Sequence, residues 1–240
     1  MKPKTDVDHF RAAYRAAMAS IPDPGVRARV EAILSNASKG VWLAGENGDV
    51  QRKQAARKLL VIARQSPAVC DALVRVVGHC PRKSKWLGRY WLCFRVVADL
   101  IIEEKLSPDH LTLVVRSIVD NWFRAIESEF TEASEIADQI NDDLNWAILW
   151  LRRERPAILL AECYRRLCDD PESYSGIHSL LDGWNEREDA IMATWLKSKH
   201  CAPRRLASEL DCGTLAKRRM AGLMNAHTED DEEEEEFEPG

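Results

Sequence analysis

No apolar stretch in this 240-residue chain reaches the roughly 18 to 20 residues needed to cross a bilayer. Met1-Lys2-Pro3-Lys4-Thr5-Asp6 also lacks the hydrophobic region of an export signal. The expectation is a cytosolic or nuclear protein with no membrane partner. Its seven cysteines are an odd number and most stand beside aliphatic residues, where reduced cysteine behaves as a small buried hydrophobe, so disulfides are not expected. Gly-x-Ser-x-Gly, Cys-x-x-Cys and Walker-type loops are missing. The glycines of 38–49, a segment read as a loop with Trp42 and Leu43 pinned to the core, lack the Lys-Ser/Thr that would follow in a phosphate loop. His200, Cys201 and Cys212 lack a fourth zinc partner, and the acids lack the Glu-x-x-His pattern of a carboxylate di-metal bundle. The six histidines are scattered. The chain is therefore read as non-enzymatic, without cofactor or metal.

Helical signals are plentiful. Ser66 through Gly78 reads as one complete short helix: Ser66 caps it, Pro67 fits its first position, Val69, Leu73, Val76 and Val77 share a face, and Gly78 stops it. The opening recurs. Pro24, Pro67, Pro108, Pro156 and Pro203 are separated by 43, 41, 48 and 47 residues. From each proline, apolar residues follow at helical spacing: Val26, Val30 and Leu34; Val69, Leu73 and Val77; Leu111, Val114 and Ile118; Leu159 and Cys163; Leu206 and Leu210. The second and third copies share Ser before Pro and an arginine at the same offset, Arg75 and Arg116. This period is the size of a helix-hairpin repeat and is similar in architecture to HEAT and armadillo proteins. The fold class expected is all-α: stacked antiparallel helix pairs, as an irregular solenoid of that kind or as an irregular helical domain.

Between the prolines lie other helices. Residues 6–20 turn Phe10, Tyr14, Ala17 and Met18 inward, and 49–65 turn Ala56, Leu59, Leu60 and Ala63 inward with Arg52, Lys53, Arg57, Lys58 and Arg64 outward. The pair 86–105 and 108–130 holds the densest aliphatic runs and is expected to be central. A helix over 131–153 directs Ile136, Ile140, Leu144, Ile148 and Leu151 inward, flanked by Trp146 and Trp150; shorter helices follow at 156–168, 173–183 and 186–199. The expected organisation is a body over 1–199, a basic helical pair over 200–227, and a disordered tail over 228–240.

Charge is segregated along the chain. The formal net charge is −5, but Thr228 to Gly240 holds nine of the 39 acids and none of the 34 bases, so the remainder carries +4. Residues 51–95 hold eleven Lys and Arg against Asp71 alone, and 99–145 hold twelve acids against three bases. Such polarity suits a partner of complementary charge. The candidate protein-binding residues are Arg52, Lys53, Arg57 and Lys58 on the basic side, with Glu129, Glu132, Glu135 and Asp138 on the acidic side.

A second class of function stays open. Arg82, Lys83, Lys85 and Arg89 alternate with Trp86, Tyr90 and Trp91, a mixture that suits single-stranded nucleic acid, although the rings also fall at the spacing of a buried helix face. Residues 203–220 resemble a DNA-binding helix-turn-helix: Leu206, Ala207 and Leu210 would pack the first helix, Cys212 the turn and Met220 the second. The resemblance implies phosphate or base contacts for Lys217, Arg218 and Arg219, with Arg204 and Arg205 adding basic charge. It departs from that pattern at Asp211, where a turn glycine is usual, and at Lys217, where an apolar residue is usual. The alternative is a basic pair that caps the stack. In either case the acidic tail acts as an electrostatic competitor or as a solubilising segment. The leading expectation is a helical scaffold or adaptor for a protein partner, and the other is a nucleic-acid-binding regulator.

Overall fold

Helix starts are written locally in this chain, and the structure shows how. In the computed structural model, residues 6–36, 45–81, 86–122, 131–181 and 186–210 are described, and among them all regular structure is helical. The helices are α1 (Asp6–Ala19), α2 (Pro24–Asn36), α3 (Gly45–Gln65), α4 (Pro67–Val77), α5 (Leu87–Ile102), α6 (Pro108–Trp122), α7 (Thr131–Glu154), α8 (Pro156–Asp169), α9 (Tyr174–Leu181) and α10 (Glu186–Trp195). Residues 201–210 form a further helix, α11. None is long and apolar enough to cross a membrane among the described residues.

Four of the five periodic prolines are the first residue of a helix. At three of these starts the preceding side chain satisfies free amides of the first turn. Asp23 Oδ1 accepts from the N–H groups of Gly25 and Val26 at 2.7 and 3.0 Å, Ser66 Oγ from Val69, and Ser107 Oγ from His110. Asp170 does the same for the 3-10 turn at Pro171–Ser173. The fifth, Pro203, is a buried third residue of α11.

The bounds of α3 and α5 differ from the sequence reading, and α4 stops where expected but by another means. The supposed loop at 38–49 is helical from Gly45, and 37–44 lie outside the described residues. Gly78 follows the last residue of α4 but keeps right-handed backbone, so its freedom is not what ends the helix. α5 ends at Ile102 through Glu104, at φ 55°. The Glu104 N–H donates to the Ile101 carbonyl and the Lys105 N–H to that of Leu100, so two orphan carbonyls are satisfied in a Schellman arrangement.

The chain divides into two compact units, Met1–Cys163 and Tyr164–Gly240, with the division inside α8. In the first unit α5 packs against α2, α3, α4 and α7. Its direction relative to its flanking helices follows from paired contacts. Near the start of α3 and α5, Arg52 and Trp91 line one cavity, and near their ends Arg64 pairs with Glu103. Asp143 meets Trp91 and Arg95, and further along both segments in the same direction Arg155 meets Glu104 at 2.7 Å. So α3, α5 and α7 run parallel, side by side.

The intervening helices form a second row. His110 meets Asp71 at 3.1 Å, and the buried Ser117 hydroxyl donates to the Val77 carbonyl at 2.7 Å, so α4 and α6 are parallel too. Arg116 extends the row to α8 by two bonds to Glu162, at 3.0 and 3.1 Å. Ahead of these rows α1 packs on α4, and its Phe10 and Tyr14 join Trp86 and Tyr90 in a ring cluster with centroids 5.6 to 6.3 Å apart. The faces read from periodicity are the buried ones, including Phe10, Tyr14, Ala17 and Met18 of α1, Leu59 and Leu60 of α3, and Ile140, Leu144, Ile148 and Leu151 of α7. The six described cysteines are free, and Cys201 alone of them is exposed.

In the second unit Tyr164 stacks edge-on to Trp195 at 5.5 Å and shares a hydrogen bond of 2.7 Å with Ser198. Ile177, Leu180, Leu181, Leu206 and Ala207 are buried there.

Candidate functional site

The parallel run of α3, α5 and α7 leaves a groove along α5. Its floor is the stripe Trp91, Arg95 and Asp99, four residues apart and hence on one face. One bank is α3, through Arg52, Lys53, Ala56 and Arg57; the other is α7, through Asp142 and Asp143. The cavity between them is about 440 Å³. Its lining therefore carries four cations against three carboxylates, divided so that α3 is wholly basic and α7 wholly acidic.

The floor is internally matched. Asp143 accepts from the Trp91 indole N–H at 3.0 Å through one oxygen and from Arg95 at 2.7 Å through the other. Arg95 also reaches Asp99 at 3.2 Å, one helical turn on. Burial pushes the Asp143 carboxyl above the ordinary carboxylate range, against the opposing pull of the Arg95 charge and the two hydrogen bonds. Asp99 is raised for the same first reason, with Arg95 opposing and Asp143 and Glu103 adding to it. Burial works against the Arg95 charge, but its two carboxylates outweigh that and hold it more firmly protonated.

The α3 bank differs. Lys53 and Arg57 are exposed, one turn apart, and neither forms an ion pair with another described residue. Arg52 corrects the sequence reading: expected on the outer face, it is only 4 % exposed. The reason is its register. It lies four residues before the buried Ala56 and seven before the buried Leu59, and its long stem lies along that inner face. Lys58 is exposed on the same helix and does not line the groove.

Of the acidic candidates, Glu132, Glu135 and Asp138 belong to α7, but their side chains, like Glu129 altogether, lie outside the described residues. Among the nucleic-acid candidates, Arg82, Lys83, Lys85, Lys217, Arg218 and Arg219 lie outside them as well, as do Cys212 and the tail at 228–240. Arg89 is half-buried and stacked between rings, 4.2 Å from the centroid of Trp86 and 5.3 Å from that of Tyr14. Burial there pushes the Tyr14 phenol up to about 12, with Arg89 opposing. Tyr90 and Trp91 are buried. In the second unit Arg204 is exposed, while Arg205 lies over the Tyr174 ring at 4.8 Å and donates to Glu209 at 2.8 Å.

Sequence reading missed Arg95 and Asp99 as site residues. Their signal was there: an Arg and an Asp four apart, on one face of a largely apolar helix. A second miss is Trp146. Expected to flank the core, it is 59 % exposed, and Leu149 is 64 % exposed, because the buried line Ile140, Leu144, Ile148 and Leu151 turns both to the outside. Among the described residues, no group of three or more His, Cys, Asp or Glu is placed to hold a metal.

Compared with known proteins, the chain matches no family model, no curated sequence and no solved structure.

Proposed function

We propose that the chain is a non-enzymatic helical scaffold that binds a protein partner across the charge-polarised face formed by α3 and α7. Behind this face the chain is read as stacked helix pairs in the manner of an irregular solenoid. That reading is supported by the proline-led starts of α2, α4, α6 and α8, and by the two rows in which alternate helices lie side by side. The packing of α1 on α4 and of α2 on α5 makes the first pair atypical, as a capping pair would be.

The observation that carries the function is the α3 bank. Lys53 and Arg57 stand without an ion pair over a groove whose floor charges, Arg95, Asp99 and Asp143, are matched to one another, so this bank leaves a site for an opposing charge. The test is partner capture from lysate by the wild-type chain and by K53E/R57E/K58E, with Arg52 left intact because it is buried. Loss of the captured set in the variant, with helicity unchanged, is expected. An unchanged set sinks this surface. Labelled DNA and RNA form the control arm, and salt-sensitive binding of either, indifferent to the α3 reversal, would replace this reading with the nucleic-acid one.

A further inference from the structure

The two banks of the groove ask for different things. On α3, like charges at Lys53 and Arg57 repel across one helical turn, a cost that an anionic partner removes. On α7, Asp142 lines the groove, and one turn on along the same face comes Trp146, followed by Leu149. These two are the most exposed large apolar side chains among the described residues. An indole and an isobutyl group held in water side by side on a rigid helix offer apolar area at little entropic cost.

From this juxtaposition, and resting on the scaffold reading above, we propose that the groove seats a segment of a partner protein with carboxylates along one edge and apolar side chains along the other. The carboxylates meet Lys53 and Arg57; the apolar edge covers Trp146 and Leu149. The chemistry favours a peptide over nucleic acid on two grounds. A phosphate backbone carries charge along its whole length and would be pressed against Asp142, whereas a peptide can confine its acids to one edge. Trp91 is buried and its N–H is committed to Asp143, so it offers no platform to a base.

The test uses the full chain and a fluorescein-labelled peptide of about 16 residues, roughly four helical turns, with Glu on one face and Leu on the other. Its anisotropy should rise on titration, less so at high salt. K53E/R57E should weaken binding about tenfold, since two exposed ion pairs become repulsions. W146A/L149S should weaken it at least several-fold, and the same peptide with Lys for Glu should not bind. All four positions are exposed, so circular dichroism and melting of the variants should match wild type. Peptide affinity unmoved by either variant overturns the proposal, as does equal, competing binding of an oligothymidylate. Self-association abolished by W146A/L149S would also overturn it, by making a second copy the occupant. If K53E/R57E/K58E loses captured partners while the peptide fails to bind, this occupant is wrong and the scaffold reading stands.

Discussion

The indole N–H of Trp91 and the carboxylate of Asp143 meet at 3.0 Å across 52 residues of sequence, and that bond joins α5 to α7 at the floor of the groove. Arg95 holds the other oxygen of the same carboxylate at 2.7 Å. Asp143→Ala removes the acceptor of a buried N–H and the nearest counter-charge of Arg95, and should cost about 2 to 3 kcal/mol in urea unfolding. Asp143→Asn keeps an acceptor for Trp91 and should cost about half as much. Equal losses in the two variants would mean that the charge, not the hydrogen bond, holds the helices.

Asp99 supplies a pH test. Its folded carboxyl sits above its ordinary value, chiefly because it is buried, with Arg95 and Arg64 opposing and Asp143 and Glu103 reinforcing. Between the unfolded value near 4 and the raised folded value, the native state binds more protons, so this group's contribution falls as pH rises through that window. Asp99→Asn has no such titration. Its stability relative to wild type should therefore improve between about pH 4 and neutrality, as followed by denaturant midpoints at constant ionic strength. A flat difference would contradict the raised carboxyl.

The α6–α8 link rests on Arg116 and Glu162, whose side chains are 45 % and 7 % exposed. Arg116→Ala leaves the buried carboxylate without that guanidinium and should cost about 2 kcal/mol, below the full value for a buried pair because the arginine is half in water. Arg116→Lys should recover only a fraction, since an ammonium cannot reproduce the two parallel bonds. A double-mutant cycle with Glu162→Gln measures the coupling.

At the start of α2, Asp23→Ala should cost about 1 kcal/mol by thermal or urea unfolding, because two first-turn amides lose their acceptor. Asp23→Ser, which can still cap, should lose a small fraction of that.

Much of the architecture was legible in short windows. The Ser-Pro and Asp-Pro helix starts at 23–24, 66–67 and 107–108 are decided within one turn, because capping involves residues two or three apart. The inward lines of α1, α3, α4 and α7 follow from helical periodicity, which is equally local. The limits of that reasoning show at Arg52. A cation among cations reads as outward, yet its register puts it on the buried side.

The site was legible only in halves. Lys53 and Arg57 were evident as a basic bank, and Asp142 and Asp143 fell within the acid-rich stretch 99–145, but nothing within a helical turn links position 91 or 95 to 143. The shared arginine offset in the second and third proline-led copies was visible as well; that Arg116 pairs with Glu162, 46 residues away, was not.

What the sequence alone determined is that the chain builds helices, where most of them start and which faces they bury, because those outcomes depend on neighbours three and four residues apart. The tertiary structure decided which helices lie side by side. That choice matched Arg95 to Asp143 and Asp99, left Lys53 and Arg57 without a described ion-pair partner, and turned Trp146 and Leu149 to water. The physical reason is that a charge or an apolar side chain is satisfied by whatever packing brings within a few ångströms, and across 46 to 52 residues of chain only the fold sets that distance.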